Sequence, residues 1–113
     1  MLRAMQTIVE LPEFIRRAQQ LLSVAESHLL VSHLAEFPQA GVLIEGTGGI
    51  RKLRWAREGM GKSGGVRVIY YFHSERMPLY LLTVFGKNER ADLSMAERIL
   101  LSKFVKRLVD ALR

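Results

Sequence analysis

The chain has 113 residues, 49% hydrophobic and 25% charged, with no cysteine. That is the length of one domain with one core; it excludes a disulfide framework, a thiolate metal site and a cysteine nucleophile, and no apolar run nears the roughly 20 residues that span a bilayer. Seventeen Lys and Arg against eleven Asp and Glu give a net charge of +6, which points to an acidic partner: nucleic acid, an anionic membrane or an acidic protein segment.

In chain order, the opening Met-Leu-Arg-Ala-Met-Gln-Thr has no apolar h-region, which predicts no secretory signal and a cytoplasmic location. Thr7 to Glu10, rich in β-branched residues, predicts a short strand. Pro12 suits a first helical turn, and Phe14, Ala18, Leu21 and Leu22 continue a helical period to about residue 22. Ser23-Val24-Ala25-Glu26 has the form of a capping box that opens a second helix. Its apolar face is expected at Leu29, Leu30, His33, Leu34 and Phe37, and Pro38 ends it. From Val42 the period becomes two. Short strands are expected at Val42 to Ile44 and Ile50 to Ala56, with a glycine-rich turn at Gly46 to Gly49 between them. A loop is expected from Arg57 to Gly64, then the strongest strand pattern, Gly65 to Phe72. A turn at Ser74 to Pro78 joins it to an antiparallel partner, Leu79 to Phe85. Ser94-Met95-Ala96-Glu97 opens a last helix, with Ile99, Leu100, Phe104, Val105, Leu108 and Leu112 as one apolar stripe. The order is that of a single α+β domain over residues 1–113, with an antiparallel-rich sheet and two helices on one face; the side taken by the last helix stays open.

Several motifs invite chemistry and fail on spacing. Gly61-Lys62-Ser63 lacks the first glycine of a phosphate loop, since Ala56 stands there, and it leads into a strand pattern rather than a helix. Gly46-Thr47-Gly48-Gly49 has Arg51 where a dinucleotide fingerprint needs its third glycine. Tight turns with positive φ explain both runs. His28 and His33 are five residues apart, so on a helix they diverge by about 140°, and no set of ligands completes a metal site. Glu89 and Asp92 precede the last helix, where acidic residues suit its N-terminus. No cofactor is expected.

The excess charge is local. Arg51, Lys52, Arg54, Arg57, Lys62 and Arg67 face one anion, Glu58, between positions 51 and 67. Strand alternation puts Lys52 and Arg54 on one face, and Arg51 with Leu53 and Trp55 on the other. Arg67 lies among apolar neighbours, where an isolated charge is costly, and Lys87 comes two residues after Phe85. If these strands are neighbours, Lys52, Arg54, Arg67 and Lys87 line one surface suited to phosphate. On charge alone, a solvated basic strand face explains the pattern equally well.

Gly46 to Trp55, then Gly61 to Tyr71, together with Lys87-Asn88-Glu89-Arg90, Leu93-Ser94 and the stretch Thr7 to Leu22, resemble the HigB-type branch of the RelE/ParE toxin superfamily. The resemblance runs from about Met5 to the last helix. It leaves Met1 to Met5 outside the pattern, as an extension, with Met5 as a candidate start. It implies a small α+β fold and a toxin of a type II toxin–antitoxin pair. Its partners would be mRNA on the ribosome and a cognate helix-turn-helix antitoxin. Its activity would be metal-independent endonucleolytic cleavage. By the family's positions Lys52, Arg54, Arg67 and Lys87 are the catalytic set, and Arg51, Arg57, Lys62 and Arg90 are candidates for binding RNA, with Arg90 an alternative to Lys87. Lys52 is the candidate general base and Lys87 the candidate acid. Two departures stand out: Leu93 and Ser94 occupy the stretch where some relatives carry a tyrosine, and Asn88 stands where some carry an arginine. The alternatives are a ParE-like toxin that binds gyrase without catalysis, and an inactive relative that binds RNA or antitoxin.

Overall fold

Residues 5–57 and 61–112 are described by a computed structural model, with the backbone alone for Arg57 and 61–64. The chain runs β1 (Ile8–Glu10), α1 (Pro12–Leu21), α2 (Val24–Glu36), β2 (Val42–Leu43), β3 (Ile50–Arg57), β4 (Gly61–Tyr71), β5 (Leu79–Gly86) and α3 (Met95–Ala111). Both Ser-x-x-Glu boxes form. The Ser23 hydroxyl accepts from the Glu26 N–H while the Glu26 carboxylate accepts from the Ser23 N–H, and Ser94 and Glu97 do the same ahead of α3. Each box meets backbone donors that a helix start leaves unpaired.

The strands form one sheet in the order β1-β5-β4-β3-β2, antiparallel except for β1, which pairs parallel with β5. The α+β expectation is met, with a parallel edge added. Along β4 the side chains alternate between two cores. Val66, Val68 and Tyr70 join Phe14, Ala18 and Leu22 of the α1 segment and Leu30 and Leu34 of α2. Ile69 and Tyr71 face the other way, toward Leu93 and Val105. The last helix therefore lies across the sheet from the first two.

Three expectations need correction. Residues 61–64 were expected in a loop and belong to β4 instead: Arg57 pairs with Gly61, so the hairpin is tighter and the strand longer. The positive-φ turn is real at Gly46, Gly48 and Gly49, but the second glycine run is strand. The apolar stripes are narrower than drawn. In α2 Leu30 and Leu34 are buried, while Leu29 and Phe37 are exposed. In α3 the packed row is Leu101, Val105, Leu108 and Val109, at i, i+4, i+7 and i+8, and Ile99, Leu100, Phe104 and Leu112 are exposed. A helix on a sheet covers only the stripe that faces it, whatever apolar residues flank that stripe. Among the described residues no helix is long and apolar enough to cross a membrane.

Candidate active site

The face that carries α3 is only partly covered by it. β3 and β4 pair with Lys52 opposite Ile69 and Arg54 opposite Arg67. β4 and β5 pair with Ile69 opposite Thr83 and Arg67 opposite Phe85. Since side chains alternate along each strand, Lys52, Arg54, Arg67 and Phe85 share this face. The expected grouping of Lys52, Arg54 and Arg67 is thus formed by register alone.

Arg54 and Arg67 are a directly opposed like-charge pair, which a sheet pays for in stability. Arg67 is only 9% exposed. Among the described residues its hydrogen bond to the protein is a 3.5 Å contact to its neighbour's carbonyl, Val66 O. Among the described residues no carboxylate pairs with either guanidinium. The two arginines line a shallow pocket of about 250 Å³ with Trp55, Ala56 and Gly65. Gly65 is required there: a Cβ would lie 2.7 Å from the Trp55 carbonyl oxygen. Its own carbonyl accepts from the Lys87 N–H at 3.1 Å, which brings the Lys87 backbone to the pocket wall.

The segment between β5 and α3 supplies the rest. Arg90 stacks over the Phe85 ring at 4.4 Å and pairs with Glu97. Lys52 Nζ donates to Asp92 Oδ2 at 2.8 Å, and Arg98 donates to the same oxygen at 3.2 Å. Burial alone would raise the Asp92 carboxyl; the hydrogen bonds from Lys52 and the Leu93 N–H, with the charges of Lys52 and Arg98, outweigh it and hold the group below its ordinary range. Glu97 is likewise held down by Arg90 and the Ser94 cap against the effect of burial. Glu89 is lowered chiefly by Arg17, then by the Gly86 N–H. Arg17 also donates to Val84 O, so α1 clamps the turn that follows β5. Glu89 and Asp92, expected as simple helix-terminus anions, instead pair with cations from other elements.

Of the remaining candidates, Arg90 joins this face and Lys87 stands exposed at its rim. Arg51 does not join it. It lies on the opposite face, where its Nη1 donates to Gly41 O at 2.7 Å and Gln39 O at 3.3 Å. The side chains of Arg57 and Lys62 lie outside the described part of the structure. Asp92, Arg98 and Phe85 were missed as site residues. Asp92 and Lys52 are 40 residues apart, and no local period marks such a pair. Phe85 lies two residues before Lys87 in the sequence, and an aromatic flanking a cation cluster was the available signal. Among the described residues no three His, Asp or Glu side chains gather as a metal cluster.

Residues 13–113 match the family described as the RelE toxin of the RelE/RelB toxin–antitoxin system. Among solved structures, the chain is similar to a doubly arginine-substituted mutant of the E. coli toxin RelE in the free state: 16% identity, TM-score 0.56, covering 93% of this chain and 98% of that one. That identity carries the fold and nothing finer. The family match extends over nearly the whole chain, with four of the five strands and the cationic face included, and the protein belongs to the RelE toxin family of toxin–antitoxin systems.

Proposed function

We propose that this toxin is a ribosome-dependent mRNA endonuclease of the HigB-type branch, formed by one domain and countered by a helix-turn-helix antitoxin. The observation that carries the reading is the Arg54–Arg67 pair: two guanidiniums side by side, one of them buried, without a carboxylate among the described residues. Like charges left opposed cost stability unless an anion between them offsets the repulsion. A phosphodiester is that anion, and the planar fork of arginine matches its oxygens.

In the proposed reaction the 2′-OH of the target nucleotide attacks its own 3′ phosphorus. The 2′-OH gives its proton to a water molecule as a bond forms from O2′ to phosphorus, the bond to the leaving O5′ breaks as that oxygen takes a proton, and a 2′,3′-cyclic phosphate and a 5′-OH result. Charge builds on the nonbridging oxygens, and Arg54 and Arg67 are placed to stabilise it without a metal. Lys52 adds a third positive charge from the next row of the sheet. Lys87, at the rim, is the candidate donor to O5′. Arg90, over the Phe85 ring and paired with Glu97, is the candidate contact to the neighbouring phosphate.

The test is cleavage of an mRNA positioned on ribosomes, mapped by primer extension. Wild type is expected to cut within the coding region only when the message is being translated, and Arg67→Ala to lose about 100-fold or more of that rate. Growth arrest with intact mRNA would overturn the reading in favour of a gyrase-type toxin. Soluble, folded protein with no effect on growth would make it an inactive relative.

A further inference from the structure

We infer that Asp92 is a positioning residue of the cationic site: its carboxylate holds the Lys52 ammonium beside Arg54 and Arg67, in place for the phosphate. The inference rests on the nuclease reading above.

Asp92 is anchored without help from Lys52. Its Oδ1 accepts from the Leu93 N–H at 2.8 Å, and Leu93 is buried in the core between α3 and the sheet. Its Oδ2 accepts from Arg98, in the first turns of α3, at 3.2 Å. Backbone, core and helix together fix where the carboxylate stands. Lys52 is the mobile partner, a point charge on a flexible stem. Control therefore runs from Asp92 to Lys52.

The surroundings explain why such a hold is needed. Lys52 shares its strand face with Arg54, and Arg67 stands opposite Arg54. Arg98 closes the group from the helix side. A lysine free among three guanidiniums would swing to solvent, where repulsion is screened. One carboxylate at 2.8 Å offsets that repulsion and keeps the ammonium in the cluster. It does so without filling the site, because an ammonium has three N–H donors and Asp92 takes one. The remaining donors are left for phosphate oxygens.

A purely structural role, tying α3 to the sheet, would also conserve these distances. A double-mutant cycle separates the two. Single-turnover cleavage of ribosome-positioned mRNA would be measured for wild type, Asp92→Asn, Lys52→Ala, the double variant, Asp92→Glu and Arg67→Ala, with a thermal melt of each. Asp92→Asn is expected to lower the rate at least about tenfold, since misplacing a reacting group by about 1 Å costs up to about 100-fold. The same substitution should cost nothing further once Lys52 is alanine, and Asp92→Glu should recover part of the loss. Three results would overturn the inference alone while Arg67→Ala is defective: an unchanged rate for Asp92→Asn, an equal loss with and without Lys52, or faster cleavage, which would make Asp92 a competitor of the phosphate. Full cleavage by Arg67→Ala brings down the assigned site and this inference with it.

Discussion

On the face of the sheet that carries α1 and α2, Arg51 donates to the carbonyls of Gly41 and Gln39 and serves as a brace for the loop before β2. On the other face, Arg54 and Arg67 are opposed to each other, and no carboxylate among the described residues answers them. The three arginines lie within 17 residues of sequence and on two paired strands. They differ in what surrounds the charge. Arg51 is given two carbonyl acceptors by the fold at Nη1, although its buried Nε has no partner among the described residues. A cation kept for a ligand is left short of acceptors, at a cost in stability that binding recovers. The same contrast holds for the cores. The α1/α2 side is sealed by Phe14, Leu30 and Leu34, all fully buried, while α3 covers its side along one stripe and leaves the Arg54–Arg67 end uncovered by that helix.

The contrast can be tested from its strongest side down. Phe14→Ala, in the sealed core, should cost about 3–5 kcal/mol of stability; chemical denaturation would show it, and a loss under about 1 kcal/mol would mean that side is not sealed. Arg67→Ala should leave the melting temperature at or above wild type, since it relieves the opposed charges, while cleavage falls about 100-fold or more. Arg51→Ala should do the reverse, losing about 1–3 kcal/mol as two carbonyls lose their donor, with the cleavage rate of the folded fraction retained. Equal behaviour of the two arginine variants would erase the distinction between the faces. Gly65→Ala should lose about 1–3 kcal/mol through collision with the Trp55 carbonyl, and should weaken cleavage as well because Gly65 forms the pocket wall. Loss of stability with full activity would separate the wall from the site.

The smallest effect is in acid. The Glu89, Asp92 and Glu97 carboxyls are held below ordinary values of 4.5, 3.8 and 4.5. A carboxyl lowered on folding contributes its full stabilisation above its unfolded value and loses it as pH falls through the folded one. Melting temperature should therefore hold above about pH 5 and decline below it. Glu89 and Glu97 are partly exposed, so solvent screening limits each to at most about 1 kcal/mol. Glu89→Gln should flatten part of the decline in melts run from pH 5 to pH 3, and an unchanged slope would remove the Arg17 clamp from the account.

Local chemistry made much of the fold legible in advance. Pro12, the two Ser-x-x-Glu boxes and Pro38 mark helix ends through backbone donors and φ, which depend on a few adjacent residues. The period-two patterns of β3 and β4 placed Lys52 and Arg54 together and Arg51 apart, because alternation belongs to the strand itself. The resemblance in the middle of the chain supplied the family before any contact was known. What sequence could not supply was partnership at a distance. The side taken by α3 depends on which of several apolar stripes meets a surface already formed by Ile50, Ile69 and Tyr71. That choice exposes Leu100 and Phe104 and buries Val105. The opposition of Arg54 and Arg67 needed the β3–β4 register, and the hold of Asp92 on Lys52 needed the turn after β5 to return across β3. Short-range sterics and capping are encoded residue by residue; which charge meets which is decided only when the whole sheet closes, since that is when side chains distant in sequence come within hydrogen-bond reach.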